Sequence, residues 1–284
     1  MSNPRLTEPR WVRWSIIAFI GFWLGLFLVL PLVVVFHEAL AKGWAAYLHA
    51  FDDRATAHAI KLSLLITLTA VAVNTVCGIA AAWLLTRFRF RGRSLLMTLI
   101  DLPFAVSPVI SGLIFVLLFG MQGYWGEWLR EHNIHIIFAV PGLILATCFV
   151  TFPFVARELI PVMETVGTEE EEAARVLGAS GWSIFWRVTL PNVKWGLIYG
   201  IILCSARAMG EFGAVSVVSS HIRGQTNTMP LHIDILYNEY QATAAFACAS
   251  LLSLLAIATL IIKEWVAWRQ RQAMQRATGD PNAR

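Results

Sequence analysis

Three groups of residues carry the chemistry of this chain. Arg207 and Glu211 are ionisable residues four apart within an apolar run, so they share one helix face. Charge in such a run is costly in hydrocarbon, so both should face a helix bundle or a water-filled passage. Two roles stay open. A guanidinium beside an anion path could grip an oxyanion through paired hydrogen bonds, with Glu211 holding it between passages. Alternatively, the two form a structural ion pair that fixes a helix interface. The second group is Asp101, Pro103 and Pro108 in another apolar run. The prolines remove backbone donors and should bend or interrupt the helix, and Asp101 either pairs locally or belongs to a gate. The third group is Glu169–Glu172, four consecutive carboxylates in a polar stretch. They suit the first turn of a helix, where the positive end of the dipole stabilises negative charge.

No enzyme motif accompanies them. The sequence has no GxxxxGK[ST] phosphate loop, no HExxH and no GxSxG. Cys77, Cys148, Cys204 and Cys248 fall in separate apolar runs without a CxxC pair, and the seven histidines are scattered without ligand spacing. A metal site and a cofactor in this chain are therefore not expected.

The elements that must position these residues are membrane helices. Of the 284 residues 57% are hydrophobic and 14% charged, against about 25% charged in a soluble domain. A hydrocarbon core of about 30 Å needs roughly 20 apolar residues per crossing. Six such stretches run near Ile16–Phe36, Leu62–Leu85, Leu95–Phe119, Ile136–Val155, Leu197–Val218 and Ala244–Ile262. They are apolar on every face, without the alternation of a barrel, so the fold class is all-α and polytopic. The first run is too long for a signal-peptide core and is read as a retained helix. Residues 1–15 and 264–284 are read as tails around a transmembrane domain at 16–263.

Charge orients the chain. With the N-terminus inside, only Lys42, Arg54, Lys61, Arg130 and Arg223 of the 22 Lys and Arg fall in outer loops, and Arg207 lies within a span. This asymmetry follows the positive-inside rule and places both termini in the cytoplasm. The formal charge of +4 then needs no nucleic acid to explain it. The arginines at 87, 89, 91 and 93 are read as a topology anchor at the anionic lipid leaflet.

One inside loop, 156–195, is long enough for a task of its own. Thr168–Glu171 has the form of a capping box that starts a short helix. Gly178 can end it in a left-handed turn. A second short helix follows Ser180 and carries Trp182, Phe185 and Trp186 until Leu190-Pro191 stops it. Two small amphipathic helices parallel to the membrane are expected.

Glu172-Ala173-Ala174, three residues, Gly178, nine residues, Val188-Thr189-Leu190-Pro191 resembles the EAA motif of ABC-importer permeases, with Val188 where Ile is usual. The likeness covers nearly the whole chain. Asp101–Pro108, Arg207–Val218, Gly224–Leu231 and Leu236–Tyr240 are similar to sulfate/thiosulfate permeases, to the W-type rather than the T-type subunit. Molybdate and tungstate permeases share Gly210-Glu211-Phe212-Gly213 and are the nearest competitor.

The resemblance implies a type I importer permease fold in the bacterial inner membrane. It implies a T-type sister permease, two ATP-binding subunits that hold ATP and Mg2+, and a periplasmic sulfate/thiosulfate-binding protein. It makes Glu172, Ala173, Ala174, Gly178, Leu190 and Pro191 the coupling helix that docks the ATPase. Arg207, Glu211, Gly210, Gly213, Ser216, Asp101, Pro103 and Pro108 become candidates for the pathway or gate, Gly210 and Gly213 as small residues allowing close helix packing. An ion-coupled secondary transporter would want more mid-membrane charges and repeated halves, and an intramembrane enzyme would want a catalytic motif.

Overall fold

The computed structural model describes residues 9–278. The expected charges Arg5 and Arg284 lie outside the described residues. The elements are α1 (Arg10–Leu24), a π turn (Gly25–Val29), α2 (Leu30–Leu40), α3 (Trp44–Asp52), α4 (Arg54–Arg87), α5 (Arg93–Ala105), α6 (Pro108–Phe119), α7 (Gly126–Glu131) and α8 (Val140–Val166). After these come α9 (Glu169–Val176), α10 (Gly181–Ile184), a second π turn (Phe185–Thr189), α11 (Leu190–Met209), α12 (Gly213–Val218), α13 (Met229–Asn238) and α14 (Ala242–Thr278). The chain is all-α. Five helices are long and apolar enough to cross a membrane, and α5 with α6 makes a sixth span bent by 108°.

Proline placement decides which spans stay whole. Leu30-Pro31 and Leu190-Pro191 each follow a π turn, and the helix continues through both. The wider turn makes room where proline has no N–H to donate and its ring would crowd the preceding carbonyl. Leu190-Pro191 is therefore a joint inside one continuous helix from Gly181 to Met209, not the stop expected from sequence. Pro108 does break its span. Ser107 before it is extended, at φ −58° and ψ 136°, the conformation that a following proline favours.

Three apolar clusters hold the bundle. Near the α9 end, Leu85, Ile100, Val155, Leu159 and Val193 join α4, α5, α8 and α11. In the middle, Leu62, Ile66, Leu143, Val150, Val215 and Leu231 join α4, α8, α12 and α13. At the opposite end Ala59, Met229, Leu236 and Cys248 seal α4 against α13 and α14. The helix α14 runs on to Thr278, through residues that the sequence assigned to a tail.

Between α12 and α13 the chain turns back into the protein as irregular backbone. Ser219, Thr226, Asn227 and Thr228 are all buried there. Buried loop backbone needs partners. The Ser219 hydroxyl donates to the Thr226 carbonyl, the Ser220 N–H donates to the Thr226 hydroxyl, and the Met229 N–H donates to the Ser63 hydroxyl at 2.7 Å.

Candidate coupling loop and translocation site

The 156–195 loop folds around α9. Gly167 (φ +73°) turns the chain out of α8, and Gly178 (φ +85°) ends α9. The Gly178 N–H donates to the Arg175 carbonyl and the Ala179 N–H to the Ala174 carbonyl, each at 3.0 Å, the double bond of a Schellman cap. Ser180 then caps α10, accepting from the Ser183 N–H. Those expectations hold. The capping box does not form: the Thr168 hydroxyl donates to Glu172 Oε1 at 2.7 Å, and no side chain caps α9. Thr168 sits at φ −117°, ψ −2° rather than in the extended geometry of an N-cap.

Glu171 is drawn elsewhere by a stronger partner. Its Oε1 accepts from Arg87 Nε at 3.0 Å, and Arg87 Nη2 lies 2.9 Å from the same oxygen. Thr189 Oγ1 donates to that oxygen as well, at 2.8 Å. The side chains of Arg87 and Glu171 are only 8% and 15% exposed. Arg87 is thus a buried structural residue and not the leaflet anchor read from sequence. Arg89 and Arg91 remain exposed. Glu170 accepts from the Asn192 amide at 2.5 Å.

The four glutamates therefore divide. Glu170 and Glu171 tie α9 to the bundle, whereas Glu169 and Glu172 are exposed. Ala173, Gly178, Val176 and Leu177 are exposed beside Glu172, and Trp182 and Trp186 extend this apolar surface along the base of α11. Ala174 is half-buried. Leu190 and Pro191 lie at the root of α11, joined to the surface through the π turn.

The second group centres on the break in span five. Helix α11 ends at Met209, Gly210–Phe212 are irregular, and α12 starts at Gly213. Arg207 Nη1 lies 2.5 Å from Glu211 Oε2, with the arginine side chain 34% exposed and the glutamate 1%. This contact lacks the alignment of a hydrogen bond. Glu211 Oε1 accepts from the Ala214 N–H at 2.9 Å, so the carboxylate also caps the start of α12. Ser63, Thr147, Thr228 and Glu211 line an adjoining cavity of about 10 Å³, room for roughly one water.

The breaks in spans three and five meet. A Cβ on Gly213 would lie 3.0 Å from Pro108 Cβ, so glycine there permits the close approach expected of it. Gly210 has no such duty within this chain, since a Cβ there would meet nothing nearer than Ala206 O at 3.9 Å. The Ser216 hydroxyl donates back to the Gly213 carbonyl at 2.8 Å.

Asp101 and Pro103 do not join this group. Pro103 is buried within α5 without breaking it. Asp101 Oδ1 accepts from Arg157 Nε at 2.6 Å, and the Arg157 guanidinium also lies over the Phe104 ring. Among the described residues no three His, Cys, Asp or Glu side chains gather as metal ligands.

Residues 74–272 match the family model described as the binding-protein-dependent transport system inner membrane component. The chain belongs to this family. It is 52% identical over 253 residues to the sulfate transport system permease protein CysW of Synechocystis sp., covering 89% of this chain and 92% of that protein. The sulfate transport system permease protein CysT of Escherichia coli is 39% identical, covering 80% and 82%. The W-type resemblance read from sequence agrees with this order. The fold is similar to a chain in the crystal structure of a bacterial alginate ABC transporter bound to its pentasaccharide-loaded periplasmic protein. That likeness has a TM-score of 0.75 at 17% identity and covers 93% of this chain and 95% of the other.

As an inner membrane component the chain is a non-catalytic transport subunit. Sequence reasoning found the docking face and the Arg207–Glu211 pair. It missed Glu171, Arg87 and Arg157, which acquire their roles from partners 56 to 84 positions away.

Proposed function

We propose that this chain is the W-type permease subunit of an ATP-driven importer of sulfate and thiosulfate. The observation that carries the reading is the 52% identity to a CysW protein across nearly the full length of both chains. The exposed Glu172–Gly178 face supports it by offering a second protein a flat, small-residue helix bordered by apolar side chains. The sister subunit is a T-type permease, and a periplasmic sulfate/thiosulfate-binding protein delivers the anion. Two ATPase subunits hold ATP and Mg2+ and hydrolyse the nucleotide.

The distribution of Lys and Arg supports an inner-membrane orientation with both termini and α9 on the cytoplasmic side. ATP binding then favours the outward-facing state through a differential contact with α9, and the continuous helix from Gly181 to Met209 carries the movement from the docking face to the break beside Arg207. Asp101 with Arg157, Pro103, and the junction of Pro108 with Gly213 belong to the moving parts of the gate. Arg207 and Glu211 hold the break in span five. Gly210 and Ser216 border it, and the exposed part of Arg207 is the cation available to a passing oxyanion.

Copurification tests the assembly. A tagged copy should bring down an ATPase and a second permease, and Leu177→Arg should release the ATPase while leaving the two permeases together. Retention of the ATPase by that variant would remove α9 from the docking surface.

A further inference from the structure

Helix α9 is a rod with a glycine joint at each end, both in the left-handed region: Gly167 at φ +73° and Gly178 at φ +85°. Neither glycine packs against anything that a Cβ would meet. Held by its ends alone, the rod would swing at these joints and dissipate a push on its outer face. One interior contact prevents that. Glu171 Oε1 takes hydrogen bonds from Arg87 at the end of α4 and from Thr189 at the root of α11. Arg87 Nη1 also donates to the Met163 carbonyl of α8 at 3.1 Å. A single carboxylate oxygen thus ties α9 to three membrane helices.

We infer that the Arg87–Glu171–Thr189 joint is the linkage that turns movement of α9 into movement of the spans, with Glu171 as its positioning residue. The inference rests on the importer reading for what pushes α9, not for the geometry of the joint. The other ties are unsuited to the task. Arg93 and Glu164 are each about half exposed, so water competes for that pair. Glu172 faces outward and holds only Thr168. The joint is largely dehydrated, and removing one partner strands a buried charge, so it resists opening.

The test uses the full complex in lipid vesicles with sulfate-loaded binding protein, comparing Glu171→Gln, Arg87→Gln, Arg87→Lys and the exposed-pair control Arg93→Gln. Sulfate taken up per ATP hydrolysed should fall about ten-fold in Glu171→Gln and Arg87→Gln, recover in part in Arg87→Lys, and stay unchanged in Arg93→Gln. Hydrolysis should persist, since Glu171 faces away from the docking surface. An unchanged ratio in both Gln variants of the joint would overturn the inference.

Amide hydrogen exchange of residues 169–177 in the purified full chain gives a second reading that needs no ATPase. Arg87→Gln should speed exchange there about ten-fold relative to Arg93→Gln, and equal rates would overturn the joint. Absence of any ATPase partner for the wild-type chain would instead sink the importer reading and leave the exchange result to decide the joint.

Discussion

Gly112 lies so close to Ala214 that a Cβ on it would sit 2.7 Å from the Ala214 carbonyl oxygen and 2.8 Å from Val217 Cβ. Helices α6 and α12 meet backbone to backbone here, just beyond the two span breaks. Gly112→Ala should force them apart, at a cost of roughly 1–3 kcal/mol. Gly210→Ala has room and should change stability little. Thermal unfolding of the two variants in detergent checks the contrast, and equal midpoints would contradict the packing.

The Arg207–Glu211 pair is asymmetric, with a buried carboxylate and a partly wetted guanidinium. Removing the arginine strands the buried charge, so Arg207→Gln should cost roughly 3 kcal/mol. Replacing both residues with Gln should restore much of that stability. Uptake by the double variant then separates the two roles: normal sulfate uptake from an assembled complex would remove Arg207 from the anion path.

His232, in α13 outside the long spans, is fully buried, with Nε2 bonded to Thr56 Oγ1 at 3.0 Å. Burial holds its pKa below the usual 6.5, assisted by Arg223 and opposed by Asp53 and Glu239. The unfolded chain therefore takes up this proton first as pH falls. The His232 contribution to stability is complete above 6.5 and is lost as pH drops below that value. Unfolding midpoints measured from neutral to acid pH should show this loss in wild type and a smaller one in His232→Gln. Matching profiles would refute it.

The two ends of the bundle can be told apart by labelling. Leu177 and Tyr240 are 87% and 96% exposed and lie at opposite ends of the α11–α14 region. An impermeant thiol reagent added to whole spheroplasts should modify Tyr240→Cys but not Leu177→Cys, and inverted vesicles should reverse the pattern. The same pattern in both preparations would contradict the orientation.

Much of this was legible in sequence because bilayer thickness and charge asymmetry act on composition alone. The six spans, the Gly178 turn and the one-face placement of Arg207 and Glu211 follow from run length and helical spacing. The π turns before Pro31 and Pro191 did not, since a proline in sequence reads as a stop whether or not the backbone widens to admit it. Glu171 and Glu172 are neighbours of one type, and only the position of Arg87, 84 residues earlier, decides which faces inward. Pro108 meeting Gly213 is likewise a contact between elements that no local pattern encodes.

The central claim is that this permease moves sulfate at the expense of ATP in an assembled importer. Vesicles holding the complex, with ATP inside and sulfate-loaded binding protein outside, test it through accumulation of labelled sulfate. Accumulation should depend on ATP, survive collapse of the proton gradient, and be competed by thiosulfate more strongly than by molybdate. Sulfate uptake by this chain alone, driven by an ion gradient without nucleotide, would contradict the account.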